Sequence, residues 1–246
     1  MGRQVGEAVA GAGDMQLVAY VDALATAGML DATPLFDSVE AAFSATSPDV
    51  VVDFTNAMWT PQLTAAAVRA RVRPVIGTSG LPSEYVEDLA NSCREAKLGG
   101  VVASNFAVGA VLMMHFARLA APYFESAEII ELHHDQKVDA PSGTAITTAE
   151  MMRAAREAGF QHRQAEKQVL PGSRGAESGG VAIHSVRLPG LVAHQEVLFG
   201  GLGQTLSIRH DSTGRDSFMP GVLLAVRAVM KEEHLVVGLD SLLGLR

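Results

Sequence analysis

Residues 49–78 read DVVVDFTNAMWTPQLTAAAVRARVRPVIGT, and this stretch decides the fold. An apolar run at 49–54 ends in small or polar residues, an alanine-rich helical stretch follows at 58–70, and a second apolar run occupies 73–78. Two short apolar strands separated by a helix are typical of a βαβ unit, whose strands are parallel because the helix crosses over between them. The stretch therefore predicts a parallel sheet.

The same alternation continues on both sides of this unit. Further strand-like runs lie at 16–22 and 100–104, and a helical pattern lies at 83–97. Buried parallel strands connected by helices indicate an α/β domain of the doubly wound, Rossmann-like class that binds dinucleotides. Ligands of such sheets bind beyond the carboxyl ends of the strands, which in this sequence are Asp22, Phe54, Gly77 and Ser104.

The second half of the chain has a different pattern. A strand at 127–133 and a helix at 144–159 are followed by a polar, glycine-containing loop at 161–180. Three short strands and a last helix come next, at 181–188, 193–199, 204–210 and 217–231. Consecutive short strands joined by glycine-containing turns predict an α+β domain with an open mixed sheet and a helix packed against it.

Composition excludes several classes of function. The 246 residues carry a net charge of −8, which argues against general affinity for nucleic acid or for an anionic membrane. The single cysteine, Cys93, excludes an internal disulfide and suits a reducing compartment. There is no apolar run of about 18–20 residues to cross a bilayer, and the first residues lack the pattern of a secretion signal. These features predict a cytoplasmic protein.

The segment with most of the reactive side chains is 131–144, ELHHDQKVDAPSGT. Ser142 is a favoured N-cap residue, and the free N–H groups of the helix that follows it can bind an anion. Lys137 adds a cation, and the histidines at 133 and 134 can exchange a proton near neutral pH. The segment therefore predicts a site that holds an anionic substrate and protonates it.

Two other chemistries fit this segment poorly. His133 and His134 are adjacent on a predicted strand, so their side chains point to opposite faces and rarely bind one ion together. No Cys, His or Glu cluster lies nearby in the sequence, and we predict no metal site. A serine hydrolase built on Ser142 is rejected as well, because no Gly-x-Ser-x-Gly turn surrounds that serine.

The segment also carries a resemblance to a known family. Together with Asp53-Phe54-Thr55, Gly77-Thr78-Ser79-Gly80, the block at 103–109 (ASNFAVG) and Ser185-Val186-Arg187, in this order, it is similar to the 4-hydroxy-tetrahydrodipicolinate reductases. The similarity covers essentially the whole chain. It implies NAD(P)H-dependent reduction of the cyclic dicarboxylate (2S,4S)-4-hydroxy-2,3,4,5-tetrahydrodipicolinate to 2,3,4,5-tetrahydrodipicolinate, in lysine and diaminopimelate biosynthesis, by a homotetramer.

The resemblance also implies roles for individual residues. It makes His133 the general acid and Lys137 the second catalytic residue, and it implies substrate contacts for His134, Gly143 and Thr144. The implied cofactor-binding residues are Gly2, Asp22, Gly77, Thr78, Ser79, Ala103, Ser104, Asn105 and Phe106.

The strand end at Asp22 bears on the choice of dinucleotide. An acidic residue there binds the ribose hydroxyls of NAD, whereas some members of the family follow it with an arginine that accommodates the 2′-phosphate of NADP. Ala23 takes that place here, so we expect NADH to be used well and no strong preference for NADPH. The implied division is a dinucleotide-binding domain at 1–106 with 216–246, and a substrate-binding and oligomerisation domain at 107–215.

A dinucleotide-binding domain should open with a strand and a glycine-rich loop, and neither precedes Gly2 in this sequence. Gly2 corresponds to the last glycine of that loop, residues 2–12 to the first helix, and Met1 to an internal methionine. We therefore expect the codons upstream to encode a strand that ends in Gly-x-x-Gly. Two alternatives remain open: a truncated, non-catalytic member of the family, or a related reductase of another small imine or keto acid.

Overall fold

The protein is represented by a computed structural model that describes residues 1–161 and 165–245. The chain divides into two compact units, Met1–Val108 with Arg215–Arg246 (unit 1) and Gly109–Gly214 (unit 2). Part of the predicted loop at 161–180, residues 162–164, lies outside the described residues.

Strands and helices alternate through most of unit 1, and consecutive strands predominate in unit 2. In chain order, the elements are α1 (Gly2–Ala10), β1 (Tyr20–Val21), β2 (Gly28–Leu30), β3 (Thr33–Phe36), α2 (Val39–Thr46), β4 (Val50–Asp53), α3 (Thr60–Ala70), β5 (Arg73–Ile76), α4 (Ser83–Ala96), β6 (Gly100–Val102), α5 (Val108–Ala120), β7 (Ser126–His133), α6 (Gly143–Ala154), β8 (Ala176–Ser178), β9 (Val181–Arg187), β10 (Ala193–Gly201), β11 (Gln204–Ser212), α7 (Met219–Val229), β12 (Leu235–Val237) and α8 (Leu239–Leu242).

The main sheet of unit 1 is parallel, with the strand order β12-β6-β5-β4. Val75 and Ile76 of β5 are 0% exposed, and both α3 and α7 contact this strand. One cluster packs Leu63 and Ala67 of α3 against Phe43 of α2. The predicted parallel α/β sheet is therefore confirmed, and its strands end where the sequence analysis placed candidate binding residues.

A smaller sheet in unit 1 has the order β1-β3-β2, with β1 and β3 parallel and β2 and β3 antiparallel. The two residues of its hairpin turn, Asp31 and Ala32, have positive φ angles of 49° and 64°. A two-residue hairpin turn requires such angles, but neither residue is a glycine, so the sequence does not predict the turn. The predicted strand at 16–22 is shorter in the structure, where only Tyr20–Val21 pairs. Among the described residues, β3 pairs with residues 20 and 21 of this segment, and residues 16–19 form no ladder.

A groove of about 540 Å³ lies between residues 16–21 and β4. β4 pairs only with β5, so its other edge is open to this groove. Val50, Val51 and Val52 form an uninterrupted apolar run, which is typical of a strand with neighbours on both sides, yet they are only half-buried.

Unit 2 is a five-stranded sheet with the order β11-β10-β7-β9-β8, in which β7 and β9 are parallel and the other pairs antiparallel. This confirms the predicted mixed sheet. Alternate residues of β7 and β10, including Ile129, Val197 and Phe199, face a core completed by Ala149 and Met152 of α6. On the opposite face of the sheet, side chains such as Ile130 and Leu132 are half-buried.

Two boundaries in unit 2 differ from the predictions. The loop predicted to run to residue 180 contains β8, which pairs with β9. The helix predicted at 144–159 ends at Ala154, and the guanidinium of Arg156, just beyond this end, donates to the carbonyl oxygens of Ala121 and Phe124. No helix among the described residues is long and apolar enough to cross a membrane.

Candidate active site

The carboxyl end of β7 presents a glutamate and a histidine on the same face of the strand. Glu131 and His133 are two residues apart, so both side chains follow the core-facing row of β7. The Glu131 side chain is 0% exposed, whereas His133, at the end of the strand, keeps 15% exposure. The histidine is therefore accessible to a ligand, and the glutamate is not.

The Glu131 carboxylate is the centre of a hydrogen-bond network. Its Oε2 atom accepts from Nη1 of Arg187 at 2.8 Å and lies 2.6 Å from Nδ1 of His133. Its Oε1 atom accepts from Nη2 of Arg187 at 2.8 Å and from the amide of Ser142 at 3.2 Å. Arg187 reaches this position from β9, which is parallel to β7 and aligns residue 187 with residue 133.

These contacts determine the protonation of the pair. Burial alone would raise the pKa of Glu131, but the hydrogen bonds from Arg187 and the other donors outweigh it and hold the pKa below its ordinary value. An ionised carboxylate only accepts hydrogen bonds, so Nδ1 of His133 must be the donor in this contact. Nε2 is then the ring nitrogen left to exchange a proton.

The pKa of His133 lies below its ordinary value, chiefly because burial disfavours the charged ring. The Glu131 carboxylate opposes this shift, and the positive charges of Lys137 and Arg187 add to it. Negative charge brought close to these two cations would weaken their effect and favour the imidazolium. The ring is therefore suited to take up a proton when an anion binds nearby.

The turn after β7 carries the predicted lysine. Lys137 is 20% exposed, its Nζ donates to Oδ1 of Asp139 at 2.6 Å, and its amide donates to the carbonyl of His134 at 3.2 Å. The ion pair with Asp139 holds the ammonium close enough to His133 for the two to interact electrostatically. His134 itself is exposed.

The start of α6 provides hydrogen-bond donors for an anion. The N-cap hydroxyl of Ser142 accepts from the amide of Ala145 at 3.2 Å. The first amides of a helix have no partner inside it, so those of Gly143 and Thr144 remain available to a ligand. Apart from its chain neighbours and the backbone of its own helix, no described residue comes within 4 Å of a Cβ built on Gly143, which leaves room for a ligand to reach the backbone. Because Glu131 binds the amide of Ser142, this helix start is tied to His133.

The predicted cofactor residues lie in unit 1, and one of them, Thr78, belongs to a buried hydrogen-bond network. Asp53, at the end of β4, is 1% exposed. Its Oδ1 accepts from the hydroxyl and the amide of Thr55, and its Oδ2 accepts from the hydroxyls of Thr60 and Thr78 at 2.6 and 3.2 Å. This network fixes the turn after β5 that contains Thr78.

The turns after β5 and β6 present backbone and small side chains. A Cβ on Gly77 would overlap the ring of Phe54, so packing at this position favours glycine. Phe106 is 1% exposed and packs edge-on against Phe54, with ring centroids 5.4 Å apart, so Phe106 can offer a ligand only its backbone. The Asn105 side chain accepts from the amide of Ala107 at 2.9 Å.

The remaining residues of these turns differ in exposure. Ser79 and Ser104 are exposed, and Ala103 is buried.

The other two predicted cofactor residues are exposed. Gly2 begins α1, whose N-cap residue, Met1, makes no side-chain hydrogen bond to the helix, so the first amides of this nine-residue helix are free for a phosphate. Asp22 follows β1, and its Oδ1 accepts from the amide of Leu24 at 2.9 Å, which leaves Oδ2 for a ribose hydroxyl. The uncapped helix start and the strand ends of unit 1 fit a dinucleotide.

The sequence pattern predicts no role for several residues of these networks, among them Glu131, Asp139 and Asp53. It contains Arg187 only as part of a family-like block. The pairing of β7 with β9 brings Arg187 to Glu131. Because the two residues are 56 positions apart in the sequence, no local pattern predicts this contact. A buried acidic residue at the end of an apolar run, as in VVVD at 50–53, was the one available signal for Asp53.

Comparison with known proteins covers both units. The family model described as "Dihydrodipicolinate reductase, N-terminus" matches residues 1–106, and the model described as "Dihydrodipicolinate reductase, C-terminus" matches residues 109–243. A 4-hydroxy-tetrahydrodipicolinate reductase of Bacillus licheniformis is 53% identical over 213 residues, which are 85% of this chain and 78% of the relative. The enzyme of that name from Halalkalibacterium halodurans is 45% identical over 252 residues, covering 99% and 95%.

A solved structure agrees with these matches. The dipicolinate-bound dihydrodipicolinate reductase from Paenisporosarcina sp. TG-14 superimposes with a TM-score of 0.88 and 44% identity, over 98% of this chain and 94% of that one. The resemblance seen in the sequence is thus confirmed in both halves of the chain. The protein belongs to the dihydrodipicolinate reductase family.

Proposed function

We propose that this protein catalyses the NAD(P)H-dependent reduction of (2S,4S)-4-hydroxy-2,3,4,5-tetrahydrodipicolinate to 2,3,4,5-tetrahydrodipicolinate and water, a step of lysine and diaminopimelate biosynthesis. The observation that carries the proposal is the link between Glu131, His133 and the start of α6. It joins a proton donor to an anion-binding helix terminus, as a dicarboxylate substrate requires. A family neighbour with dipicolinate bound supports a cyclic dicarboxylate ligand.

A bound nicotinamide supplies the hydride. The residues that would hold the dinucleotide are Gly2, Asp22, Gly77, Thr78, Ser79, Ala103, Ser104, Asn105 and Phe106. The free amides of α1 suit the pyrophosphate, Asp22 suits a ribose, and the turns after β5 and β6 suit the nicotinamide end. Ala23 brings no cation to a 2′-phosphate, so NADH is used well and NADPH is accepted without strong preference.

His133 is the general acid. The 4-hydroxyl group and a proton from the adjacent ring carbon leave as water, which gives the unsaturated ring that accepts the hydride. The Nε2–H bond of the His133 imidazolium then breaks, and a new C–H bond forms at the carbon beside the one that took the hydride. The imidazole is left neutral, with its remaining proton on Nδ1 and shared with Glu131. A positioned acid of this kind contributes roughly 10²–10⁴-fold to the rate.

The substrate carboxylates are held by the residues around the acid. The amides of Gly143 and Thr144 donate to one carboxylate, and the Lys137 ammonium stabilises negative charge on the substrate and in the transition state. His134 is an exposed substrate contact on the same turn. These groups orient the ring so that His133 meets the carbon to be protonated.

The face of the unit 2 sheet opposite its core supports self-association into a homotetramer. This face carries half-buried apolar side chains in register on neighbouring strands: Ile130 and Leu132 of β7, Val186 of β9 and Leu198 of β10. Burying such a face against a second copy removes apolar surface from water. The cytoplasm is the compartment that suits a biosynthetic reductase whose one thiol, Cys93, is buried and free.

The test is a reductase assay with 4-hydroxy-tetrahydrodipicolinate generated in place by the preceding aldol condensation, followed by loss of NADH absorbance. Wild type is expected to turn over, and His133→Gln to lose about 100-fold or more in kcat with NADH affinity little changed. NADH titration by fluorescence separates the rival interpretations. Binding without turnover on this substrate, but with turnover on another imine or keto acid, would identify a related reductase. No binding would identify a non-catalytic member.

A further inference from the structure

The strongest feature not explained by the proposed roles is the complete burial of a charged glutamate behind the proton donor. The Glu131 side chain is 0% exposed, so it cannot bind substrate itself. An isolated buried carboxylate is very unfavourable, and the structure offsets this with a two-pronged ion pair to Arg187. A buried ion pair is seldom the most stabilising choice for a core, which suggests a role beyond stability.

We infer that Glu131 is a positioning residue for the acid, which fixes Nδ1 of His133 as the protonated nitrogen and stabilises the imidazolium formed when a dianionic substrate binds. The inference rests on the proposed function of His133. The Nδ1 contact of 2.6 Å is short, as expected for a charge-assisted hydrogen bond. It holds the ring so that Nε2 carries the transferable proton.

The charges around the imidazole explain why this stabilisation is needed. The charged groups that act on His133 are Glu131 on its own strand, Lys137 on the following turn and Arg187 on the neighbouring strand. The two cations and burial disfavour a proton on the ring, and only Glu131 favours it. When two substrate carboxylates approach Lys137 and the start of α6, the balance reverses and His133 takes up a proton from solvent.

The same carboxylate also fixes the anion-binding turn. Oε1 of Glu131 accepts the amide of Ser142, the residue that caps α6, while Arg187 binds the carbonyl of Asp139 at 2.8 Å. Both ends of the connection between Lys137 and Gly143 are therefore tied to one ion pair. Proton donor and anion-binding amides keep their relative positions because they share this support.

The test is Glu131→Gln, which keeps the size of the side chain and removes its charge. The apparent pKa of the group that must be protonated for catalysis is expected to fall by about one unit, so kcat/KM drops about tenfold in alkaline solution and recovers towards wild type as the pH is lowered. Glu131→Asp keeps the charge and is expected to retain the wild-type pH profile at a reduced kcat. A pH profile unchanged by Glu131→Gln would overturn the inference, as would a loss of activity that is equal at all pH values.

Glu128→Gln is the matched control. Glu128 lies on the same strand, on the opposite face, and it too binds an arginine and a histidine, Arg174 and His184. Its loss removes the same kind of network without touching His133, so the pH profile is expected to stay as in wild type. A shift equal to that of Glu131→Gln would show that any loss of charge on β7 has this effect, and would refute a specific role.

Proton uptake gives a readout that does not depend on turnover. Binding of pyridine-2,6-dicarboxylate, measured by calorimetry in two buffers of different ionisation enthalpy, is expected to take up protons in wild type and clearly fewer in Glu131→Gln. Equal uptake would contradict the inference even if the protein reduced no substrate. If Glu131→Gln does not fold because Arg187 is left unpaired, the double variant Glu131→Gln with Arg187→Met removes both charges and is measured in the same way.

Discussion

Replacement of Gly143 by proline would separate the anion-binding role of the α6 start from its structural role. Proline is favoured at the first position of a helix, where the amide it lacks has no partner inside the helix. The preceding residue, Ser142, already has φ −65° and ψ 148°, the conformation that a following proline requires. The helix should therefore persist, and the melting temperature should stay within about 2 °C of wild type.

The expected loss is in binding alone. One amide-to-carboxylate hydrogen bond contributes about 1.5–3 kcal/mol, so the Kd for pyridine-2,6-dicarboxylate should rise roughly 10–150-fold. Gly143→Ala keeps the amide and has free space for its methyl group, so it should bind as wild type does. Titration calorimetry on the three proteins, with thermal melts alongside, decides the matter. Unchanged affinity in the proline variant at unchanged stability would refute anion binding by this amide.

Three further predictions concern charge and packing. Lys137→Ala should lower kcat/KM at least about tenfold without changing NADH affinity, as steady-state kinetics and fluorescence titration can establish; wild-type turnover would count against a substrate role for the ammonium. Arg187→Met should leave the Glu131–His133 pair with one more bound proton in the folded state than in the unfolded state. The free energy of unfolding of this variant, measured in urea, should therefore fall further below that of wild type by about 1.4 kcal/mol per pH unit as the pH rises above about 6.5. A difference independent of pH would contradict a charge-based role. Joining five β-branched residues and a glycine turn to Met1 should fill the groove beside β4 and raise the melting temperature by about 5 °C or more, while a proline in the middle of the added strand should abolish the gain.

The sign of the pH effect follows from the direction of the pKa shift. In wild type, Arg187 holds the pKa of Glu131 below its ordinary value, so the carboxylate contributes stability above a pH of about 4.3 that is lost as the pH falls through the lowered pKa. Without Arg187 the shared proton is held more tightly in the folded state than in the unfolded state. Stability is then lost as the pH rises.

Much of unit 1 could be predicted because its signals are local. Apolar runs such as 73–78 and the alanine-rich pattern of α3 indicate burial directly. The structure has a strand, β5, at the first of these places and a helix, α3, at the second. Short elements with mixed patterns escaped prediction: β2 and β3 form a hairpin around Asp31 and Ala32 without glycine. β1 was predicted too long because strand length depends on a partner, and only residues 20 and 21 have one.

The candidate site could be predicted only in part, for a similar reason. The spacing of His133, Lys137 and Ser142 within one segment made that part of the site readable from the sequence. The contact of Arg187 with Glu131 depends on strand register between distant segments, and the contact of Thr78 with Asp53 depends on the pairing of β4 and β5. Which side chains share a hydrogen bond is a property of the folded sheet, so chemistry-bearing residues were found more readily than the residues that orient them.

The shared carboxylate at position 131 restricts how this enzyme can adapt to a new environment. The two carboxylate oxygens of Glu131 bind His133 and the amide of Ser142, the residue that caps α6. A substitution at position 131 that changes the pKa of His133 therefore also disturbs the start of α6. Variants selected for work in acidic or alkaline cells should therefore carry linked substitutions on β7 and β9 rather than isolated changes.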